Sequence, residues 1–291
     1  MNSPPPTMLI FPIVYWQTNY QTVPADLRAC LLLRQLPSLP CCETSPMNIT
    51  VDKNHDLMSH SAAELMAKAI QAKPNLNILV ATGNTPIESY RQLAQLTQSA
   101  GIDTSGIKAI QLDEYVGVGP NDPRSLFGWM DRVFLQPLAV RSDRVIRFDP
   151  TSDDPDAAIS SYDRMVSDSG GIDLAILGLG PNGHLGFNEP PSTPDAPTRI
   201  IELSQESIVS NSVYWGEDQV VPTRAFTAGM TTILEAKQIV LLVSGAHKMN
   251  ILRETIRGPA TGMVPASLLQ TVSAKVTILA DDAAWEDSGE A

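Results

Sequence analysis

The chain has 291 residues, which is enough for one large α/β domain or two modest ones. Its 43% of hydrophobic and 18% of charged residues are typical of a soluble globular protein, and its formal net charge of -12 argues against nucleic acid or an anionic membrane as the main partner. A protein this acidic must bind a phosphate through backbone N–H groups or a few placed cations.

The first 46 residues differ from the rest in composition. They contain all three cysteines and a short apolar run at 8–16, which is not long enough to span a bilayer and has no preceding Lys or Arg. A chain without cysteines after Met47 fits a reducing compartment, so we expect a cytoplasmic protein. The expected division of the chain is a disordered extension or mis-assigned start at 1–46, a domain at 47–283 and a frayed acidic tail at 284–291. A short extension packed on the surface is the alternative for 1–46.

From Met47 onward, strand-like and helix-like patterns alternate. Apolar runs predict strands at 49–51, 77–82, 108–112, 144–148, 172–177, 238–244 and 275–280. Helical spacing of apolar residues predicts helices at 55–71, 86–96, 125–134, 154–169 and 246–256. The proline-rich stretch 190–197 is predicted to be a loop or the base of a mobile lid. Such alternation predicts an α/β fold whose parallel strands are joined by right-handed helical crossovers.

The segment Thr82–Pro86 joins a predicted strand to a predicted helix. Gly83 and Asn84 tolerate a positive φ, and Thr85 can cap a helix that begins at Pro86. The backbone N–H groups would then converge at a helix N-terminus, which is a ready anion site. An ordinary strand-to-helix turn is the alternative, and no Gly-Lys-Ser/Thr follows, so the segment is not a nucleotide P-loop.

Two carboxylates, Asp113 and Glu114, follow the predicted strand 108–112. Burial at a strand end can raise the pKa of a carboxyl group into the range that suits a general base. The alternative is a pair that caps a turn and faces water.

A glycine-rich loop at 178–190 follows the next predicted strand. Its G-x-G-x-x-G spacing, with Glu202 about 20 residues on, is that of a dinucleotide site. Such a site needs a helix that runs from the third glycine. Four prolines at 190–197 argue against that helix, since proline inside a helix costs about 3 kcal/mol. We therefore predict that no dinucleotide cofactor binds here.

The same loop contains His184, with Asn182 and Glu189 near enough in sequence to orient it. A histidine held by a carboxylate can move protons near neutral pH, so we interpret this group as catalytic. A packed or exposed loop histidine is the alternative.

Lys248 follows the predicted strand 238–244 at the start of a helix. It could neutralise a ligand phosphate as a point charge, although a solvated helix lysine fits equally well. No His-x-x-x-His or Glu-x-x-His spacing occurs, and we predict no metal site.

Three segments together, at 81–86, 112–117 and 177–190, resemble the glucosamine/galactosamine-6-phosphate isomerase (deaminase) family in order and spacing over roughly residues 47–283. The resemblance implies a single domain with a Rossmann-like open, mostly parallel sheet flanked by helices. It also implies a cofactor-free reaction on a small-molecule sugar phosphate. A 2-amino-2-deoxyhexose 6-phosphate would be opened, isomerised from aldose to ketose and deaminated.

The resemblance also assigns roles to particular residues. It implies that Asp113 is the base that moves a proton between C2 and C1, and that His184 assists ring opening. Glu189 and Asn182 would support His184. The phosphate would be bound by Gly83, Asn84, Thr85 and Lys248.

Three positions depart from the family pattern. Asn182 replaces an aspartate of many members, so the pKa of the neighbouring histidine should depend more on the glutamate. Val213 stands where some members have a phosphate-binding arginine. Arg199 fits a basic position that regulated members use for an activator phosphate, but Ile201 replaces its basic partner, so we do not expect allosteric activation.

We expect the gluco substrate, with three alternatives. The segments 170–174 and 182–186 also resemble the galactosamine branch. A 6-phosphogluconolactonase-like hydrolase would share the fold and a Gly-His loop but lacks the continuation Phe187–Pro190. A non-catalytic sugar-phosphate sensor would need a basic DNA-binding domain, of which residues 1–46 show no sign. The sequence leaves open whether the chain forms a homo-oligomer.

Overall fold

The computed structural model describes residues 46–211, 215 and 220–285. Its strands are β1 (Asn48–Asp52), β2 (Asn77–Val80), β3 (Lys108–Gln111), β4 (Asp113–Tyr115), β5 (Val145–Ile146), β6 (Leu174–Gly178), β7 (Arg199–Glu202), β8 (Arg224–Thr227), β9 (Gln238–Val243) and β10 (Val276–Asp281). Its α-helices are α1 (His55–Ala72), α2 (Ile87–Ala100), α3 (Leu126–Met130), α4 (Pro155–Asp168), α5 (Gln205–Asn211), α6 (Met230–Glu235) and α7 (Met249–Arg257). Of the extension predicted at 1–46 only Pro46 is described, and of the tail predicted to fray at 284–291 only Ala284, which is buried, and Trp285 are described. The rest of both segments lies outside the described residues.

Seven strands form one parallel sheet in the order β1-β10-β9-β6-β2-β3-β5. The α/β fold predicted from the alternating pattern is therefore confirmed. The chain adds β3 and β5 on one side of β2, then returns to place β6, β9 and β10 on the other side. The direction of strand addition thus reverses between β2 and β6. Open parallel sheets bind ligands at such a reversal, beyond the carboxyl ends of the strands.

Helices cover both faces of this sheet because its central strands are apolar on both faces. In β2, Ile78 packs in the same cluster as Met66 of α1 and Leu93 of α2, whereas Leu79 packs on the opposite face with Tyr162 of α4. Each such side chain that is fully buried contributes about 1.5–3 kcal/mol. The sheet is therefore a rigid frame for the loops at its edge.

A smaller antiparallel sheet, in the order β4-β8-β7, lies outside the predicted pattern. It gives Asp113 and Glu114 a strand of their own, where the sequence predicted only a strand end. The strand β7 and the helix α5 both lie in the stretch after Pro197, where no element was predicted. The predicted helix 125–134 is an α-helix only to Met130 and continues as a π-helix at Asp131–Leu135. In the part of the chain that the structure covers, no helix combines the length and apolar character that crossing a bilayer needs.

Candidate active site

The candidate site is a cavity of about 310 Å³ at the carboxyl edge of the parallel sheet. The segments that follow β9, β6, β2 and β3 all reach it, and these four strands are consecutive neighbours. Six of the eight predicted site residues line the cavity: Gly83, Asn84, Thr85, Asp113, His184 and Lys248. Asn182 and Glu189 lie outside its lining.

The loop after β2 has the backbone that its glycine predicts, with Gly83 at a φ of 93°. The helix after it begins at Ile87 with Pro86 as N-cap, and no side chain caps it. The predicted capping role of Thr85 is therefore wrong. Instead, the carbonyl group of Thr85 accepts a hydrogen bond from Nε2 of His55 at 3.0 Å. This bond ties the loop to the start of α1, a support that nothing in the sequence pattern indicated.

Asp113 is only 4% exposed and lies on the floor of the cavity. Burial and then the charge of neighbouring Glu114 raise the pKa of Asp113 from its usual 3.8 to about 7, against a weak hydrogen bond of 3.4 Å donated by Thr82. A carboxyl group with that pKa can accept and return a proton at neutral pH, which is the property of a general base. The raised pKa agrees with the expectation from the sequence.

Glu114 has a separate role that the sequence did not reveal. Its carboxylate accepts the backbone N–H groups of Leu126 at 2.9 Å and Phe127 at 2.8 Å, at the N-terminus of α3. It also accepts from the backbone of Tyr115 and the side chain of Gln111. A negative charge at a helix N-terminus is favourable, and here it fixes the helix that forms one wall of the cavity.

His184 is held through its backbone. Its N–H group donates to Oδ1 of Asn182 at 3.2 Å. This hydrogen bond joins the Asn182 side chain to the backbone of the loop rather than to the imidazole ring. The ring lies directly against Gly180, where an added Cβ atom would be 2.2 Å from Cδ2 of His184. Glycine is therefore required at 180 for the ring to occupy this position.

The pKa of His184 is lowered to about 4, chiefly by burial. The charge of Glu189 raises it and that of Lys248 lowers it, but neither outweighs burial. The expectation that His184 exchanges protons near neutral pH in the free protein is therefore wrong, and the ring is neutral there. Both Nδ1 of His184 and Oε1 of Glu189 are buried without a hydrogen-bond partner. A buried polar atom without a hydrogen-bond partner is unfavourable, so each of these two atoms is available for a hydrogen bond with a substrate hydroxyl group or with the other.

Sequence reasoning also missed four side chains of the cavity wall: Arg124, Trp129, Arg132 and Ser207. The Arg124 guanidinium pairs with Asp122 at 2.6 Å. The Oγ atom of Ser207 is buried without a hydrogen-bond partner. None of these residues stands in a recognisable motif, since only the fold brings them to the cavity. Val213, at the position of the arginine in some relatives, lies outside the described residues.

No group of three or more His, Cys, Asp or Glu side chains among residues 46–211, 215 and 220–285 could hold a metal ion. The chemistry available within these residues is that of a buried carboxyl group, a neutral imidazole, a lysine and a loop that precedes a helix N-terminus.

Comparison with known proteins gives four findings. Residues 52–278 match the family described as glucosamine-6-phosphate isomerases/6-phosphogluconolactonase. A glucosamine-6-phosphate deaminase of Halothermothrix orenii is 38% identical over 235 residues, which are 81% of this chain and 97% of that protein. The solved structure of a monomeric glucosamine-6-phosphate deaminase has a TM-score of 0.78 and 33% identity, over 82% of this chain and 98% of that one. The 6-phosphogluconolactonase of Leishmania guyanensis has a TM-score of 0.66 and 22% identity, over 84% and 100%, so it shares the fold alone.

Proposed function

The chain belongs to the glucosamine-6-phosphate isomerase/6-phosphogluconolactonase family, and from this premise we propose that it is a glucosamine-6-phosphate deaminase. The reaction converts glucosamine 6-phosphate and water to fructose 6-phosphate and ammonia. The observation that carries the proposal is the pairing of Asp113, whose pKa is about 7, with a neutral His184 in one cavity. Amino-sugar isomerisation needs both a base for a carbon-bound proton and a neutral acceptor for a hydroxyl proton.

The geometry supports the following sequence of steps. The neutral imidazole of His184 takes the proton of the C1 hydroxyl group and returns it to the ring oxygen as the C1–O5 bond breaks, so the ring opens to the aldehyde. The carboxylate of Asp113 then removes the C2 proton and returns it to C1. In the same step the aldehyde oxygen takes a proton from the substrate's ammonium group, so that C1 becomes a primary alcohol and C2 an iminium carbon. Water adds to the iminium carbon, and ammonia leaves to give the ketose. Glu189 offsets the positive charge that forms on His184, since its charge already raises the pKa of that ring.

The sugar phosphate is assigned to the Gly83–Thr85 loop and Lys248. The loop lies just before the N-terminus of α2, where backbone N–H groups and the helix dipole favour an anion. Lys248 lines the same cavity and adds a positive charge within an otherwise acidic protein. A protein with a net charge of -12 must bind a phosphate through backbone N–H groups or a few placed cations, and the loop and Lys248 supply both.

The lactonase alternative is less well supported, because the relatives with 38% and 33% identity are both deaminases. The lactonase structure shares the fold alone, and the Phe187–Pro190 continuation is a feature of the deaminase pattern. Location in the cytoplasm is a further prediction. The oligomeric state, which the sequence leaves open, is measured by size-exclusion chromatography.

The decisive experiment supplies purified protein with glucosamine 6-phosphate, galactosamine 6-phosphate or 6-phosphogluconolactone in separate reactions. Ammonia and fructose 6-phosphate are measured by coupled assays, and lactone hydrolysis by proton release. We expect ammonia and fructose 6-phosphate from the gluco substrate without added metal or nucleotide. Absence of ammonia from both amino sugars would refute the proposal, and faster release from the galacto substrate would favour the alternative branch.

A further inference from the structure

Arg199, the first residue of β7, is half-buried behind the loop that contains His184 and Glu189. Its Nη1 atom donates to Oδ1 of Asn188 at 2.8 Å and to the carbonyl group of Pro197 at 3.1 Å. Its Nη2 atom donates to Oγ of Ser192 at 3.1 Å. One guanidinium group therefore spans two side chains that flank Glu189 in sequence.

Both of these side chains also donate hydrogen bonds to backbone carbonyl groups near the site. The amide nitrogen of Asn188, which is fully buried, donates to the carbonyl group of Leu185 at 2.9 Å and to that of Ala228 at 2.8 Å. The hydroxyl group of Ser192 donates to the carbonyl group of Glu189 at 2.6 Å. The bonds that start at Arg199 thus end on the residue after His184 and on Glu189 itself.

The donors and acceptors of this network require a guanidinium group. Asn188 and Ser192 already use their own hydrogens, so each can only accept from Arg199. Both acceptors are reached at once by the planar fork of an arginine, whereas the single ammonium of a lysine is a point donor. The network is fully paired at each step, and a fully paired buried network rigidifies its surroundings.

We propose that Arg199 is a positioning residue that fixes His184 and Glu189 relative to each other through Asn188 and Ser192. The inference rests on the proposed function for its catalytic readout. It also gives Arg199 a different use from the effector site of regulated relatives, because its donors are turned inward to the catalytic loop. Since a misplacement of about 1 Å can reduce turnover about 100-fold, the effect should be seen in kcat rather than in KM.

The test compares Arg199→Met, Arg199→Lys, Arg199→Ala and Ser192→Ala with the matched control Arg224→Met. Arg224 is an exposed arginine on the neighbouring strand β8 and pairs only loosely with Glu202, at 3.4 Å. We expect kcat to fall 10- to 100-fold in Arg199→Met, less in Ser192→Ala, and less than twofold in the control, with KM changed less than threefold throughout. Arg199→Lys should recover only a small part, and guanidinium ions at millimolar concentration should partly restore Arg199→Ala.

A double variant separates positioning from general loss of structure. If Arg199 acts through both Glu189 and His184, the variant Arg199→Met/Glu189→Gln should lose less kcat than the product of the two single losses. Multiplied losses, or an unchanged kcat in Arg199→Met, would overturn the proposal. So would activation of the wild type by inorganic phosphate that disappears in Arg199→Met with no change in basal turnover, because that result identifies an effector site.

A second readout does not depend on catalysis. The imidazole nitrogen resonances of His184 should shift in Arg199→Met and Ser192→Ala but not in Arg224→Met, in protein labelled with ¹⁵N-histidine. A wild type that releases no ammonia would refute the proposed function, and the resonances would still decide whether Arg199 positions His184. Identical His184 resonances in all the variants would overturn the positioning role.

Discussion

Replacing Asp113 with asparagine should abolish turnover and yet stabilise the protein at alkaline pH. Burial raises the pKa of this carboxyl group from its usual 3.8 to about 7. Between these two values the folded protein holds a proton that the unfolded chain has released, so the stability of the wild type falls as the pH rises across this window. At 1.36 kcal/mol per unit of pKa, the full loss is about 4 kcal/mol and is complete above about pH 7.

Asparagine removes this penalty but introduces a buried amide hydrogen without an acceptor, which costs about 2 kcal/mol. The net result at pH 8 is a variant about 2 kcal/mol more stable than the wild type. At pH 5 the carboxyl penalty is only about 2 kcal/mol, so the two proteins should be nearly equal. The difference should therefore grow by about 2–3 kcal/mol from pH 5 to pH 8, whatever the cost of the amide.

The assay is urea unfolding followed by tryptophan fluorescence at pH 5, 6.5 and 8, with ammonia release measured on the same samples. Asp281→Asn is the matched control, because Asp281 is also 4% exposed. Burial alone would raise the pKa of Asp281, but hydrogen bonds from Ser244, Gly245 and Ala284 lower it overall. That substitution should therefore destabilise the protein by the same amount at pH 5, 6.5 and 8, because a carboxylate with a lowered pKa loses its stabilising effect only below its usual pKa of 3.8. A stability difference for Asp113→Asn that does not change with pH would refute the raised pKa, and retained turnover would remove Asp113 as the base.

Three further predictions follow from the walls of the cavity. Gly180→Ala should lower kcat at least tenfold because the new Cβ atom collides with the His184 ring, whereas Gly119→Ala, whose Cβ atom would meet nothing within 4 Å, should be neutral; an unaffected kcat in Gly180→Ala would contradict the ring position. Glu114→Gln should reduce the free energy of unfolding by about 2 kcal/mol, measured in urea, because its new amide group faces the backbone N–H groups of α3. Lys248→Met should raise the KM for the sugar phosphate at least tenfold with a smaller change in kcat, and an equal KM would exclude Lys248 from the phosphate site.

The parallel sheet could be predicted because its central strands are continuous apolar runs. The segments 78–80 and 174–177 are buried on both faces, and that burial is visible as uninterrupted aliphatic sequence. The small sheet could not be predicted in this way. Its strand β4 has the sequence Asp-Glu-Tyr and β8 has Arg-Ala-Phe-Thr, and such short mixed stretches have no periodicity to detect.

The candidate site, like the fold, could be predicted from the sequence only in part. The residue types of Asp113 and His184 were identifiable from local sequence, but their pKa values depend on neighbours that the fold supplies. For Asp113 the expected direction was right, since burial penalises its charged form. For His184 the same physical effect acts in the opposite sense to the expectation, because desolvation of an imidazolium lowers the pKa. The hydrogen bonds of His55, Glu114 and Arg199 join distant segments and leave no local signal.

The order of strands in the sheet has a consequence for how activity is acquired during folding. The cavity takes its walls from loops that follow β2, β3, β6 and β9, so its residues range from Ala81 to Lys248 along the chain. Contacts between segments so far apart form late and slowly, since long loops must close first. An amino-terminal fragment that stops before β9 lacks the lysine and the strand that supports it, however well its earlier helices have formed. Recovery of ammonia release after dilution from denaturant should therefore lag behind recovery of helical circular dichroism. Catalysis would then report when the distant segments of the cavity, including β9, have come together.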